Sequence, residues 1–270
     1  MRMWDADAAK RYEAWFQTPK GLAALKRERE LVAGMISCWP RRGRTLLEAG
    51  CGTGVFLESF YRGGFDVTGL DMSQHMLDVA RERMGTHADL RLGNAEHMPF
   101  DDDSFDYVVM VAALECMENP EAALAEAFRV AMRGVLVVFL NAWSLYRAEN
   151  ALRKIHCAGK SLFGAANRRQ KHTLARIRWF SPYGMARLIG KVSDKYPSSF
   201  RSALFSPSFV WRAGNMQIPW LHALPFGAVA AMRVDMDPAT GTALPLPMQG
   251  IVPATQCFPA SCSERRCEKT

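Results

Sequence analysis

The stretch Leu46-Leu47-Glu48-Ala49-Gly50-Cys51-Gly52-Thr53-Gly54 constrains this chain more than any other. Leu46 and Leu47 read as the end of a buried strand, Gly50, Gly52 and Gly54 as a turn, and Val55-Phe56-Leu57 as the opening of a helix. Glycine there lets the backbone take positive φ and lets a ligand approach with no Cβ in the way. Strand, glycine turn and helix N-terminus together make the nucleotide-handling corner of a doubly wound α/β sheet. The spacing is G-x-G-x-G rather than G-x-G-x-x-G, and no Gly-Lys-Ser/Thr follows to hold a triphosphate. Glu48, two residues before the first glycine, suits a cationic ligand better than a pyrophosphate, which a carboxylate repels.

A second anchor follows. Phe65-Asp66-Val67-Thr68-Gly69-Leu70 reads as a strand with Asp71 at its end. An acidic residue about 20 positions after a glycine turn is placed to accept from both hydroxyls of a ribose. Ser73 is the expected N-cap of a helix over Gln74–Met84. The third anchor is Gly93-Asn94-Ala95-Glu96-His97-Met98-Pro99-Phe100-Asp101-Asp102-Asp103-Ser104-Phe105-Asp106.

These anchors carry a resemblance. The E-A-G-C-G-T-G run resembles motif I of the class I S-adenosylmethionine-dependent methyltransferases. The third anchor is similar to the G-D-A-E-x-L-P-F-x-D-x-S-F-D segment of the ubiquinone/menaquinone-biosynthesis, or type 11, methyltransferase domain, with Asn94 where that family carries Asp. The likeness is specific over residues 40–140 and looser up to 235. It implies S-adenosylmethionine as cofactor. By the same likeness Glu48, Gly50, Cys51, Gly52 and Gly54 serve the methionine end, Asp71 and Met72 the ribose, and Asn94 and Ala95 the adenine, with Val111 at the neighbouring strand end.

The rest of the chain fits this frame. Residues 1–38 read as two helices, with Trp4, Ala8, Tyr12, Trp15 and Phe16 at helical spacing and a break at Thr18-Pro19-Lys20-Gly21. Aromatics in that pattern suit core packing; they also resemble the helical lid that small-molecule methyltransferases place over the cofactor. Strands are expected near Thr45–Ala49, Asp66–Leu70, Leu90–Leu92, Tyr107–Ala112 and Gly134–Leu140, and helices near Gly54–Tyr61, Ser73–Met84, Pro120–Val130 and Pro182–Lys191. This βα alternation predicts a mostly parallel sheet with helices on both faces and a ligand beyond the C-terminal strand ends, where Glu48, Asp71, Asn94 and Val111 converge. Two further strands, near Arg201–Phe205 and Phe226–Val234, complete a Rossmann-like sheet of seven with an antiparallel last strand, as the resemblance implies. The expected division is a helical lid (1–38), a cofactor domain (39–235) with a basic insertion (147–178), and a Pro- and Gly-rich, disordered tail (236–270).

On the substrate side, Glu115 follows strand four and is expected to face the cofactor's methyl end, as a base or as partner of a cationic group; a plain loop carboxylate is the alternative. Asn141 and Trp143 end strand five at the same edge, and Tyr12 and Trp15 reach it from the lid. Tyr12, Glu115 and Asn141 are therefore the catalytic candidates, and Trp15 and Trp143 the acceptor contacts.

Bulk properties limit the alternatives. No run of 18 apolar residues occurs, so no membrane span is expected, and the N-terminus lacks the apolar centre of a secretory signal. The seven cysteines include no C-x-x-C, which suits reduced thiols in a cytoplasm, and neither they nor Asp101–Asp103 have metal-ligand spacing. The net charge of +7 is concentrated in 147–178, where nine Lys and Arg face one Glu. Such a segment is a solvated surface or attracts nucleic acid, anionic lipid or an acidic substrate. The first functional reading is methyl transfer to a small-molecule acceptor. A nucleic-acid methyltransferase is the second, although no Asn-Pro-Pro-Tyr follows strand four to hold a flipped base. A non-catalytic cofactor-binding scaffold is the third.

Overall fold

The computed structural model describes residues 4–145, 147, 177–204 and 224–236. The tail from 237 onward, and the basic insertion apart from Arg147, Ile177 and Arg178, lie outside the described residues. Seven strands form one sheet in the order β3-β2-β1-β4-β5-β7-β6. They are β1 (Thr45–Ala49), β2 (Asp66–Asp71), β3 (Ala88–Leu92), β4 (Phe105–Val111), β5 (Ala131–Leu140), β6 (Ser199–Ala203) and β7 (Val229–Asp235). Strands β1 to β5 pair in parallel, and β7 runs antiparallel to both β5 and β6. The expected sheet is thus observed, with β7 as the antiparallel last strand.

Alternation along the strands divides the core in two. Leu46, Val67, Tyr107 and Val109 face one side, toward α2 (Pro19–Met35) and α3 (Val55–Arg62). Leu47, Leu70, Val108 and Met110 face the other, toward α5 (Pro120–Val130) and α6 (Pro182–Ser193). Strands buried on both faces have no room for an alternating polar pattern, which is why β4 reads as the continuous apolar run Tyr107-Val108-Val109-Met110-Val111. A stacked pair, Trp39 on Tyr107 at 4.2 Å, closes the first core layer beneath β4.

The helix boundaries follow local chemistry. Ser73 caps α4 (Gln74–Met84), and Asn119 caps α5 with Pro120 in its first turn. At the N-terminus, α1 (Ala6–Phe16) ends where Thr18 Oγ1 donates to Trp15 O and accepts from Gly21 N, which starts α2. A Cβ on Gly21 would stand 2.0 Å from Trp15 O, so the tight corner between the two helices requires glycine.

The strand order reverses between β1 and β4, which opens a crevice beyond their C-terminal ends. Among the described residues no helix is long and apolar enough to cross a membrane.

Candidate active site

A cavity of about 1380 Å³ fills that crevice. The glycine turn forms one wall. Gly50, Gly52 and Gly54 all have positive φ (77°, 53° and 73°). Gly50 N and Cys51 N both donate to Leu70 O, so the turn is stitched to the end of β2. Gly52 N donates to Asp71 Oδ2 at 2.8 Å, and Asp71 Oδ1 accepts from Ser73 N at 2.9 Å. Asp71 therefore joins the turn to the first residues of α4 and still has lone pairs free toward the cavity. Burial raises its pKa, partly offset by these backbone donors.

Glu48 lies beneath the turn at 2 % exposure, and its Oε2 has no hydrogen-bond partner. Burial, and then the charge of Asp71, push its pKa well up. Such an orphaned carboxylate is costly unless a ligand completes it. Asn94 and Ala95 line the next strand end. The Asn94 carbonyl accepts from Glu96 N at 2.9 Å, and Glu96 in turn accepts from Glu118 N and Asn119 N, the loop that precedes α5. One Asn94 lone pair remains for a ligand. Val111 and the exposed Met72 also line the cavity. Ala112, just past β4, is held at φ +48° by a hydrogen bond from its N–H to Val138 O.

Gly54 stands behind the cavity wall, not in it: it begins α3 and packs on Ala80. Its contribution is the helix start, so the expectation of a direct ligand contact is corrected.

Among the acceptor-side expectations, Glu115 and Tyr12 reach the cavity. Glu115 sits on a short 3-10 turn (Leu114–Cys116) at 2 % exposure. Its Oε1 accepts from Leu140 N, while its Oε2 is buried with no partner. Burial pushes the carboxyl up to about 7. Burial and the neighbouring Glu28, Glu48 and Glu13 charges keep the Tyr12 hydroxyl protonated far above its usual range. Burial and Glu115 push the Cys116 thiol up to about 12, which leaves it a poor nucleophile.

Asn141, Trp15 and Trp143 do not line the cavity. Asn141 is fully buried and fully used: Nδ2 donates to Pro225 O and Gly227 O at 2.7 and 2.8 Å, and Oδ1 accepts from Trp143 N at 3.0 Å. It fastens the end of β5 to the segment entering β7. Trp15 is 45 % exposed with its ring edge on Phe16, and Trp143 is 51 % exposed. Helical spacing gave Trp15 the stripe of Tyr12, but α1 turns it outward; Trp4 takes the place expected of it, lining the cavity 6.2 Å from the Tyr12 ring.

Glu28, on α2, does not line the cavity but is coupled electrostatically to Glu115, which sequence reading did not suggest. It lies in the run Lys26-Arg27-Glu28-Arg29-Glu30, which reads as a solvated face. Its signal was periodicity: Gly21, Leu25, Glu28, Val32 and Met35 share one stripe of α2, and the other four are buried. Burial, and then the charge of Glu115, push Glu28 up to about 7.

Comparison with known proteins points to the same chemistry. The methyltransferase domain family matches residues 47–139. A malonyl-[acyl-carrier protein] O-methyltransferase of Serratia marcescens is 39 % identical over 136 residues, covering 49 % of this chain and 52 % of the relative. A demethylmenaquinone methyltransferase of Renibacterium salmoninarum is 35 % identical over 113 residues, covering 42 % and 46 %. Residues 47–139 are thus similar to a methyltransferase domain. The chain spans about half the length of the curated relatives it matches. The structure of magnesium protoporphyrin IX methyltransferase from Synechocystis PCC 6803 with bound SAH shares the methyltransferase fold, with a TM-score of 0.60 at 13 % identity over 84 % of this chain and 94 % of that one.

The residues around the cavity fit S-adenosylmethionine as cofactor. The cavity holds an unpartnered buried carboxylate for a cationic group in Glu48, and a turn whose Gly52 leaves open space where a Cβ would stand. Asp71 borders the same space with acceptor capacity to spare.

Proposed function

We propose that this protein transfers a methyl group from S-adenosylmethionine to a small-molecule acceptor by direct in-line displacement. One observation carries the reading: the unpartnered buried Glu48 Oε2, at the glycine turn of a sheet switch point and beside Asp71, is suited to a ligand that is both cationic and a nucleoside. The bound cofactor supplies an electrophilic methyl group on a sulfonium. The protein's own work is to bind and align. Glu48 and the turn of Gly50, Cys51 and Gly52 take the methionine end, Asp71 and Met72 the ribose, and Asn94 and Ala95 the adenine, with Val111 beside them. Gly54 acts at one remove, by starting α3.

Residues 1–38 serve as a lid. Their attachment supports this: Trp4 O accepts from Ser73 Oγ, Glu13 pairs with Arg83 at 2.6 Å, and Arg29 donates to Val55 O. These three ties hold the helical pair against α4 and α3, with Tyr12 against the cavity. A site closed to water strengthens the electrostatics within it and favours near-attack geometry.

The names of the two relatives carry chemically different acceptors, one on an acyl-carrier protein and one a quinone. They support the shared cofactor half and leave the acceptor to be read from this chain. The test is calorimetric titration with S-adenosylmethionine, with NAD as control, followed by transfer of labelled methyl groups. Micromolar binding of the former alone, about −8 kcal/mol, is expected. NAD binding, or binding of neither, overturns the reading. Binding without turnover across an acceptor library favours a non-catalytic role.

A further inference from the structure

We infer that the buried part of the cavity around Glu115 is an acceptor subsite for a cationic amine, with Glu115 taking the ammonium proton. This rests on the methyl-transfer reading above and names its substrate class.

The cavity, at about 1380 Å³, exceeds the roughly 300–1,000 Å³ typical of a site for one drug-sized ligand. It therefore has room for an acceptor beside a cofactor. Glu115 lines it, away from the glycine turn in sequence and fixed by the end of β5. Its Oε1 is satisfied by Leu140 N, and its Oε2 is buried without a partner. A buried carboxylate oxygen in that condition marks a place where a ligand supplies the missing donor.

The charge distribution says which donor. Among the described residues, the basic side chains that line the cavity, Arg11, His75 and Arg178, are exposed. Its buried lining carries Glu48 and Glu115. A carboxylate, phosphate or phenolate acceptor would meet like charge with no buried cation among the described lining residues to offset it. A neutral alcohol would leave the acidic cluster uncompensated. An ammonium pairs with Oε2, in a cavity that the aromatic residues Tyr12 and Trp4 also line.

The proton step balances. The ammonium N–H bond breaks as an O–H bond forms on Glu115 Oε2, and the amine is left neutral with its lone pair free for methylation.

The test is calorimetry on the full chain loaded with S-adenosylhomocysteine. The probes are benzylamine, phenethylamine and cyclohexylamine, each against the corresponding alcohol and carboxylate. The expected result is amine binding at least tenfold tighter than the alcohol, with the carboxylate weakest. Glu115→Gln keeps the acceptor for Leu140 N and should retain S-adenosylhomocysteine affinity within threefold, which shows that it folds, yet abolish the amine preference. Alcohols or carboxylates binding as well as amines, or a preference that survives Glu115→Gln, overturns the subsite alone. Failure of S-adenosylhomocysteine to bind takes down the methyl-transfer reading and this one with it.

Discussion

Gly50 and Gly52 have the same kind of backbone and opposite surroundings, so replacing each by Ala separates what the turn does for the fold from what it does for the ligand. Both lie at positive φ, 77° and 53°. An L-residue there costs about 1–2 kcal/mol, offset by about 0.4–1 kcal/mol from the stiffer unfolded chain. A Cβ on Gly50 would stand 2.6 Å from Ala113 Cβ, which has no flexible end to move aside. Overpacking of that kind adds about 1–3 kcal/mol. A Cβ on Gly52 meets no protein atom within 4 Å and projects where the turn borders the cavity. Gly50→Ala should therefore lose about 2–4 kcal/mol of stability, and Gly52→Ala only about 1 kcal/mol. In cofactor affinity the weight reverses for Gly52→Ala: a methyl group in the ligand's space should cost about 1–3 kcal/mol, a roughly five- to 150-fold weaker Kd. Urea denaturation gives the first quantity and calorimetric titration with S-adenosylmethionine the second. If Gly52→Ala binds within twofold of the parent chain, the turn does not approach the cofactor and the argument from its open face fails.

Three further outcomes are expected. Asp71→Ala removes the acceptor for both Gly52 N and Ser73 N; it should lower stability by about 2–4 kcal/mol and weaken S-adenosylmethionine binding by about 100-fold or more, and unchanged affinity would refute the ribose assignment. Burial holds Glu115 up to about 7 in the folded chain, above the usual carboxylate value when unfolded, so between about pH 4.5 and 7 the folded state keeps a proton that the unfolded state has lost, and stability falls as pH rises through that window. Glu115→Gln should remove this loss and be more stable than the parent at pH 8, by on the order of 3 kcal/mol at most, and indistinguishable at pH 4.5; thermal unfolding at the two pH values checks the sign. Asn141→Ala breaks three hydrogen bonds of a fully buried side chain and should cost about 2–4 kcal/mol, with S-adenosylmethionine affinity within threefold; a large loss of affinity at unchanged stability would return Asn141 to the candidate active site.

Much of the cofactor half was legible because its signals are local. A glycine at positive φ, a carboxylate at a strand end and a Ser or Asn before a helix each act through bonds within a few residues. That is why Gly50, Gly52 and Ser73 stand where expected and why the βα alternation leads to the right sheet. The proposed acceptor side was less legible because membership there depends on which way a side chain turns. Trp15 and Tyr12 are three residues apart on one helix, yet Trp15 is turned outward and Tyr12 inward.

By itself the sequence determined the corner on which everything else is hung: strand, glycine turn, helix, and an acid at the end of the next strand, because these depend on steric and hydrogen-bonding rules that act along the chain. Tertiary structure alone decided which polar groups lost water and which of them were compensated. Asn141 and Glu115 were equal candidates in sequence and are both buried. Asn141 found three backbone partners from a segment more than 80 residues away and its own loop, and became structural. Glu115 found one, and its second oxygen remained unpaired beside the cavity. The difference arises from desolvation and long-range contact, which no local pattern encodes.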